Sequence, residues 1–222
     1  MNYYTTKQSN YYSGTRIDVI SFLENGSQKN VLEIGAGGGD SLCFIKENKL
    51  AQEVVGVELF DLQGSNQTNP LIDKFIHGNI EHENLDLQAE YFDVIILADI
   101  LEHLIDPWKT VEYVSGFLKK GGRIITSLPN IQDFKTMIKI YVQGDFRYRE
   151  DGVLDKTHLR FFCKKNMIQL LTTNKLEVTS ATPAFKIRQD RNGRELANLL
   201  TLGLIEPYLS IQYIFEVKRI DV

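Results

Sequence analysis

The chain has 222 residues, with 25 Lys and Arg against 29 Asp and Glu and a formal net charge of −4. That length holds one large domain or two small ones, and a hydrophobic share of 43% is enough for a sizeable core. The acidity argues against nonspecific binding to nucleic acid or anionic membranes, although a local basic patch remains compatible with it.

Short apolar runs alternate with stretches of helical period. Val31–Ile34 reads as a first strand, followed by the glycine cluster Gly-Ala-Gly-Gly-Gly. A helix is predicted from Ser41 to about Asn48, with Leu42, Ile45 and Leu50 as apolar positions. Glu53–Leu59, Lys74–His77 and Phe92–Leu97 read as the next three strands. Asp106 is placed to cap a helix that has Pro107 at its first position, where a missing N–H costs nothing. Val111, Val114 and Leu118 give that helix a core stripe, and Lys119 and Lys120 fall in its last turn before Gly121–Gly122 stops it. Arg123–Leu128 reads as a fifth strand. Further on, Asp133–Gln143 reads as a helix and Gly144–Phe162 as a charged, aromatic stretch without clean periodicity. Lys164–Asn174 is predicted helical, with Met167, Leu170 and Leu171 inward. Glu177–Ala181 and Ser210–Lys218 read as strands, with a helix over Gly193–Leu204 between them.

This alternation predicts βαβ units and a mainly parallel sheet. No linker is rich enough in Gly, Pro or Ser to divide the chain. The expectation is one domain over residues 1–222, with residues 133–162 as a lid or acceptor-binding insertion. No apolar run approaches the roughly 20 residues of a membrane span, and the polar start MNYYTTKQSN does not read as a signal peptide. A cytoplasmic protein is expected. Cys43 and Cys163 are too few for a disulfide framework or a structural zinc site and read as small hydrophobes.

The sharpest motif is Val31-Leu-Glu-Ile-Gly-Ala-Gly-Gly-Gly39. Gly35, Gly37 and Gly39 give G-x-G-x-G, with Asp40 where a dinucleotide fingerprint needs its third glycine, which disfavours an NAD-dependent oxidoreductase. No Lys-Ser/Thr follows, which excludes a P-loop. Glu33 beside the glycines would repel a pyrophosphate, but it suits a cationic amine or a sulfonium-bearing ligand. Glu58 ends the second strand, where such sheets place a carboxylate to accept hydrogen bonds from ribose hydroxyls.

With these motifs the chain resembles the class I S-adenosylmethionine-dependent methyltransferases over nearly its whole length. It looks closest to the polysaccharide-linked bacterial group and to the ubiquinone-pathway O-methyltransferases. The resemblance implies a Rossmann-like, seven-stranded, mostly parallel sheet with an antiparallel last strand. It implies S-adenosylmethionine as cofactor, with Arg16 on its carboxylate, the methionine part over Gly35–Gly39 and the ribose on Glu58. Glu33, Ala36 and Leu59 complete that end. Asn79 and Ile80 meet the adenine, and Ala98 and Asp99 lie beneath the methyl donor.

An alcohol acceptor needs a base or a metal to take its proton. His103, in Asp99-Ile-Leu-Glu102-His103, and His158, in Asp155-Lys-Thr-His158, are the candidates. The first segment resembles the Glu-x-x-Glu-His site of small-RNA and ubiquinone-pathway methyltransferases, with Asp in place of the first Glu. Asp99, Glu102, His103 and His158 are therefore expected to converge on the acceptor oxygen. They would act with Mg²⁺ or Mn²⁺, or with His103 or His158 as a metal-free general base assisted by Glu102. The metal-free base is slightly preferred. Tyr141, Arg147, Tyr148 and Arg149 mix stacking surfaces with bidentate donors, which suits a sugar or a phosphorylated sugar. The leading expectation is thus O-methylation of a sugar of a surface glycan or its precursor, within polysaccharide biosynthesis. The alternatives are O-methylation of a small aromatic or quinone precursor, and an inactive nucleotide-binding partner subunit. The partner expected is a small-molecule or glycan acceptor, with no nucleic acid and no membrane span.

Overall fold

The computed structural model describes residues 14–23, 29–82, 85–187 and 192–220, so the polar start of the chain lies outside the described residues. Seven strands form one sheet: β1 (Asn30–Ile34), β2 (Glu53–Glu58), β3 (Lys74–His77), β4 (Phe92–Ala98), β5 (Leu118–Pro129), β6 (Leu176–Pro183) and β7 (Gln212–Arg219). Their spatial order is β3-β2-β1-β4-β5-β7-β6. Pairings from β3 through β5 are parallel, and β7 runs antiparallel to both β5 and β6. This is the predicted fold class.

The helices are α1 (Ile17–Ile20), α2 (Asp40–Glu47), α3 (Pro107–Ser115), α4 (Phe134–Met137), α5 (Lys164–Leu171), α6 (Asn192–Leu200) and α7 (Glu206–Leu209). Side chains alternate across the sheet with the strand period of two, and this sorts the core into two layers. Leu32, Ile34, Ile95 and Leu97 pack with Val111 and Val114 of α3 and Met167, Leu170 and Leu171 of α5. Val31, Val94 and Ile96 pack on the other face with Val19 and Ile20 of α1 and Leu42 and Ile45 of α2. Helices on both faces explain why the central strands read as unbroken apolar runs. Among the described residues no helix is long and apolar enough to cross a membrane.

The boundary between α3 and β5 differs most from the sequence expectation. Helix α3 ends at Ser115, with Gly116 as its C-cap, instead of continuing to Lys120. Leu118 is fully buried, but as a strand residue paired with Phe92, and Lys119 meets Asp93 at 2.9 Å instead of a helix end. Leu118 fits the stripe of Val111 and Val114 because it fills the same core layer from another element. The β4–β5 register then jumps from Phe92/Leu118 to Val94/Arg123, which leaves residues 119–122 as a bulge.

Residues 133–162 are tied down at both ends. Asp133 is buried and accepts from the Thr136 N–H at 3.2 Å, and Asn130 bridges to Phe162. The helix begun by α4 widens into π-type turns over Ile138–Val142. Most of residues 141–152 are exposed.

Candidate active site

The sheet reverses its order between β1 and β4, and ligands of such folds bind in the crevice beyond the strand ends at that point. There the β1–α2 turn is folded back on β2: the N–H groups of Gly35 and Ala36 donate to the Val57 carbonyl at 2.8 and 3.1 Å. Gly35 has φ +73°, and a Cβ at this position would lie 2.9 Å from Ile100 Cδ1. Gly39 has φ +85°, and its missing Cβ faces Ile72 and the Asn66 backbone. Gly39 thus lets the 66–72 segment close over the start of α2, and it stands outside the cavity wall.

That cavity encloses about 500 Å³. Its wall contains every other residue expected at the cofactor: Arg16, Glu33, Gly35, Ala36, Gly37, Glu58, Leu59, Asn79, Ile80, Ala98 and Asp99. Glu58 is locked by backbone donors. Its Oε2 accepts from Gly37 N–H at 2.9 Å, and its Oε1 accepts from Leu59 at 2.7 Å and Phe60 at 3.3 Å. Asn79 accepts from Glu81 N–H at 2.9 Å, forming an Asx turn that fixes its amide at the wall. Gln67, which carried no sequence signal, clamps the two loops together by donating to the Gly37 and Phe60 carbonyls at 2.8 and 2.9 Å.

Glu33 is 3% exposed, and its Oε2 has no hydrogen-bond partner. Burial pushes its carboxyl up to about 8, against the pull of Arg16 and with a further push from Glu58 and Asp40. Burial opposes the charge of Arg16 too, but Asp99 and Asp18 outweigh it and raise its pKa. The Arg16 guanidinium meets Asp18 at 3.0 Å, Ser127 Oγ at 3.2 Å and the Asp99 carboxylate. Asp99 sits in the left-handed region, φ +52°. Its Oδ1 accepts from Ser127 Oγ at 2.9 Å and from Gln212 Nε2. Ser127 and Gln212 were not singled out from sequence. A buried polar residue within or opening an apolar strand was the available signal.

Glu102, His103 and His158 come together beside this cavity, and His103 belongs to its wall. One ligating atom from each lies within 4.8 Å of the other two. His103 Nδ1 is 3.1 Å from the Thr157 carbonyl, and His158 Nδ1 is 3.0 Å from the Val153 carbonyl. A carbonyl only accepts, so each Nδ1 carries a proton, and in the neutral ring Nε2 is the atom left to ligate. The two rings stack edge to face at 4.8 Å. Glu102 is 1% exposed, with His158 Nε2 3.9 Å from Oε1 and with Oε2 lacking a hydrogen-bond partner. Burial, and then Asp99, raise its carboxyl well above the ordinary range. Burial and His158 lower His103 to about 4. Asp99 does not join the trio as expected. Residues 101–103 form a 3₁₀ turn instead of an α-helix, and the left-handed Asp99 sends its carboxylate to Arg16, Ser127 and Gln212.

Residues 8–181 match the family model described as a methyltransferase domain. The chain belongs to this methyltransferase family. Its cofactor is S-adenosylmethionine. Among curated relatives, the ubiquinone biosynthesis O-methyltransferase of Coxiella burnetii is 26% identical over 121 residues, which are 53% of this chain and 50% of that protein. The mitochondrial ubiquinone biosynthesis O-methyltransferase of Homo sapiens is 25% identical over 158 residues, 67% of this chain and 41% of that protein. The matched region thus spans half or less of these two relatives. A Nitrosococcus oceani protein of the same description matches 82% of this chain and 81% of its own length at 22% identity. Among solved structures, an S-adenosylmethionine-dependent methyltransferase from Mesorhizobium loti superposes with a TM-score of 0.63 at 14% identity, covering 91% of this chain and 96% of that one. The [4+2]-cyclase SpnF reaches the same TM-score at 13% identity, covering 96% and 81%. The fold alone therefore leaves the reaction open.

Within the methyltransferase, the residues read as sugar-binding stand apart from the cavity. Tyr141, Arg147, Tyr148 and Arg149 are all exposed, and Arg147 is spent on Asp145 at 2.8 Å. The cavity wall that includes His103 also carries the apolar Ile100, Leu104, Ile105 and Leu159.

Proposed function

We propose that this methyltransferase methylates a hydroxyl of a small aromatic acceptor that carries a neighbouring oxygen, at a divalent metal held by Glu102, His103 and His158. The observation that carries the proposal is the convergence of these three side chains with both imidazole tautomers preset. A carbonyl partner on Nδ1 is how proteins orient a histidine for ligation through Nε2. The partnerless, buried Glu102 Oε2 fits a cation, which would restore the carboxylate's charge. Two imidazoles and one carboxylate suit a transition metal better than Mg²⁺. When bound, the metal would supply Lewis acidity that lowers the pKa of an acceptor hydroxyl. Lowered to about 4 by burial and His158, the His103 imidazole is a ready ligand but a weak base at neutral pH, which favours the metal over His103 as the general base.

The protein supplies the rest. Glu33 faces the ammonium of the cofactor, Arg16 its carboxylate and Glu58 its ribose. Asn79 has an NH₂ that can donate to a purine ring nitrogen. The acceptor oxygen forms its bond to the methyl carbon as the carbon–sulfur bond breaks, the hydroxyl proton leaves to water, and S-adenosylhomocysteine is the by-product. The apolar wall favours a planar ring over a sugar, and the O-methyltransferase relatives named for ubiquinone biosynthesis point the same way. Residues 133–162, which bring Leu159 to the wall, would form the acceptor-side cover. The test is the initial rate with a catechol-type acceptor after chelation, with Mg²⁺, Mn²⁺ or Zn²⁺ added back, beside His158→Ala. Loss on chelation with rescue by metal is expected. Full activity after chelation and in the variant overturns the proposal.

A further inference from the structure

A second cavity, of about 460 Å³, opens at the opposite end of the strands, where β4 begins and β7 ends. Five cations stand in its wall: Lys29, Lys119, Lys120, Arg123 and Lys218. Among the described residues of the wall two carboxylates stand with them, Asp93 and Glu216. The described wall thus carries more cations than carboxylates, in a chain whose net charge is −4.

Both carboxylates are already engaged within the wall. Asp93 Oδ2 accepts from the Asn30 N–H at 2.8 Å and from Lys119 Nζ at 2.9 Å. Glu216 accepts from Arg123 at 2.9 Å and from Ser180 Oγ at 3.0 Å. Further positive charge comes from Lys120 and Lys218, both exposed. Like charges held around one concavity repel each other until an anion enters.

The concavity is built by the β5 bulge. Residues 119–122 are extra to the β4 pairing, and Gly121 has φ +73°. A Cβ on Gly122 would lie 2.9 Å from the Lys119 carbonyl and 3.1 Å from that of Asp93, so the bulge is seated closely on β4. Bulges of this kind re-aim side chains, and this one brings Lys119 and Lys120 to the cavity that Lys218 closes from β7.

We propose that this cavity binds a small anion bearing two or more phosphate groups. Its volume lies within the range of small-molecule sites, about 300–1,000 Å³. A concavity lined by a few residues suits a compact ligand, whereas a duplex or a membrane needs an extended basic surface. Flexible lysine point charges fit several phosphates better than one planar carboxylate.

The test is calorimetric titration of the whole protein with inorganic pyrophosphate, triphosphate, ATP and orthophosphate, at low salt and with chelator present to silence any metal site. Pyrophosphate and triphosphate should bind at least tenfold more tightly than orthophosphate. The Lys120→Glu/Lys218→Glu variant should lose at least tenfold in that affinity while keeping its affinity for S-adenosylmethionine. Equal binding of ATP and triphosphate would show that only the phosphates are read; tighter ATP would add a base contact to the same site. Absence of pyrophosphate and triphosphate binding at millimolar concentration, or binding unchanged in the variant, overturns the proposal. So does charge-dependent capture of duplex DNA or anionic vesicles without pyrophosphate binding.

Discussion

Gln212 Nε2, at the start of β7, donates to Oδ1 of Asp99, 113 positions earlier in the chain. With Arg16 and Ser127 it holds a non-glycine residue at φ +52° over the mouth of the cavity. A bond to a charged group contributes roughly 1.5–3 kcal/mol. Gln212→Ala should therefore weaken S-adenosylmethionine binding about tenfold, read by calorimetry. Gln212→Glu should weaken it more, because a second carboxylate would face Asp99.

Glu58 has two tasks, since the carboxylate proposed for the ribose also gathers three backbone N–H groups. Glu58→Gln keeps an acceptor oxygen, but it sets an NH₂ against one of those donors. Both Glu58→Ala and Glu58→Gln should lose about one order of magnitude or more in cofactor affinity. Retained affinity in both would remove Glu58 from the site.

Glu33 makes the apo protein sensitive to pH. Its folded pKa of about 8 lies above the ordinary 4.5, so the folded state binds the extra proton between those values. Apo stability should fall as pH rises from about 4.5 to 8, and Glu33→Gln should flatten that fall. A cofactor ammonium favours the ionised carboxylate, so binding below pH 8 should release a proton and tighten as pH rises. Titration in buffers of different ionisation enthalpy counts the proton. A release unchanged in Glu33→Gln would assign it elsewhere.

Gly35→Ala meets two costs that separate cleanly. The φ of +73° costs an L-residue roughly 1–2 kcal/mol, and the new Cβ would press on Ile100. Adding Ile100→Val should restore only the contact part. Thermal unfolding of the single and double variants reads the split.

The parallel half of the sheet was legible because Val31–Ile34 and Phe92–Leu97 are apolar on both faces and end in punctuated loops. The wall of the larger cavity was legible because glycine at 35 and 37 and acids at 33 and 58 are backbone and charge requirements, visible in one dimension. Leu118 was misplaced because its i+7 spacing from Val111 continues the helical stripe, although it fills the same core layer from a strand. Asp99 was misplaced because a left-handed backbone turns a side chain away from where helical spacing would send it. Ser127 and Gln212 act through Arg16 and Asp99, partners distant in sequence, and only their polarity within or opening an apolar strand marks them, whereas Gln67 carries no such mark.

The placement of β7 between β5 and β6 has a consequence for how the molecule assembles. β7 follows both β5 and β6 in the chain, yet it lies between them in the sheet. Without it, Asp99 lacks Gln212, and Arg123 lacks Glu216 at the far cavity. One strand thus completes both ends of the sheet. A ribosome-bound chain ending before Gln212 would carry the glycine loop, the glutamates and the histidines, yet its cofactor wall would still be unfinished.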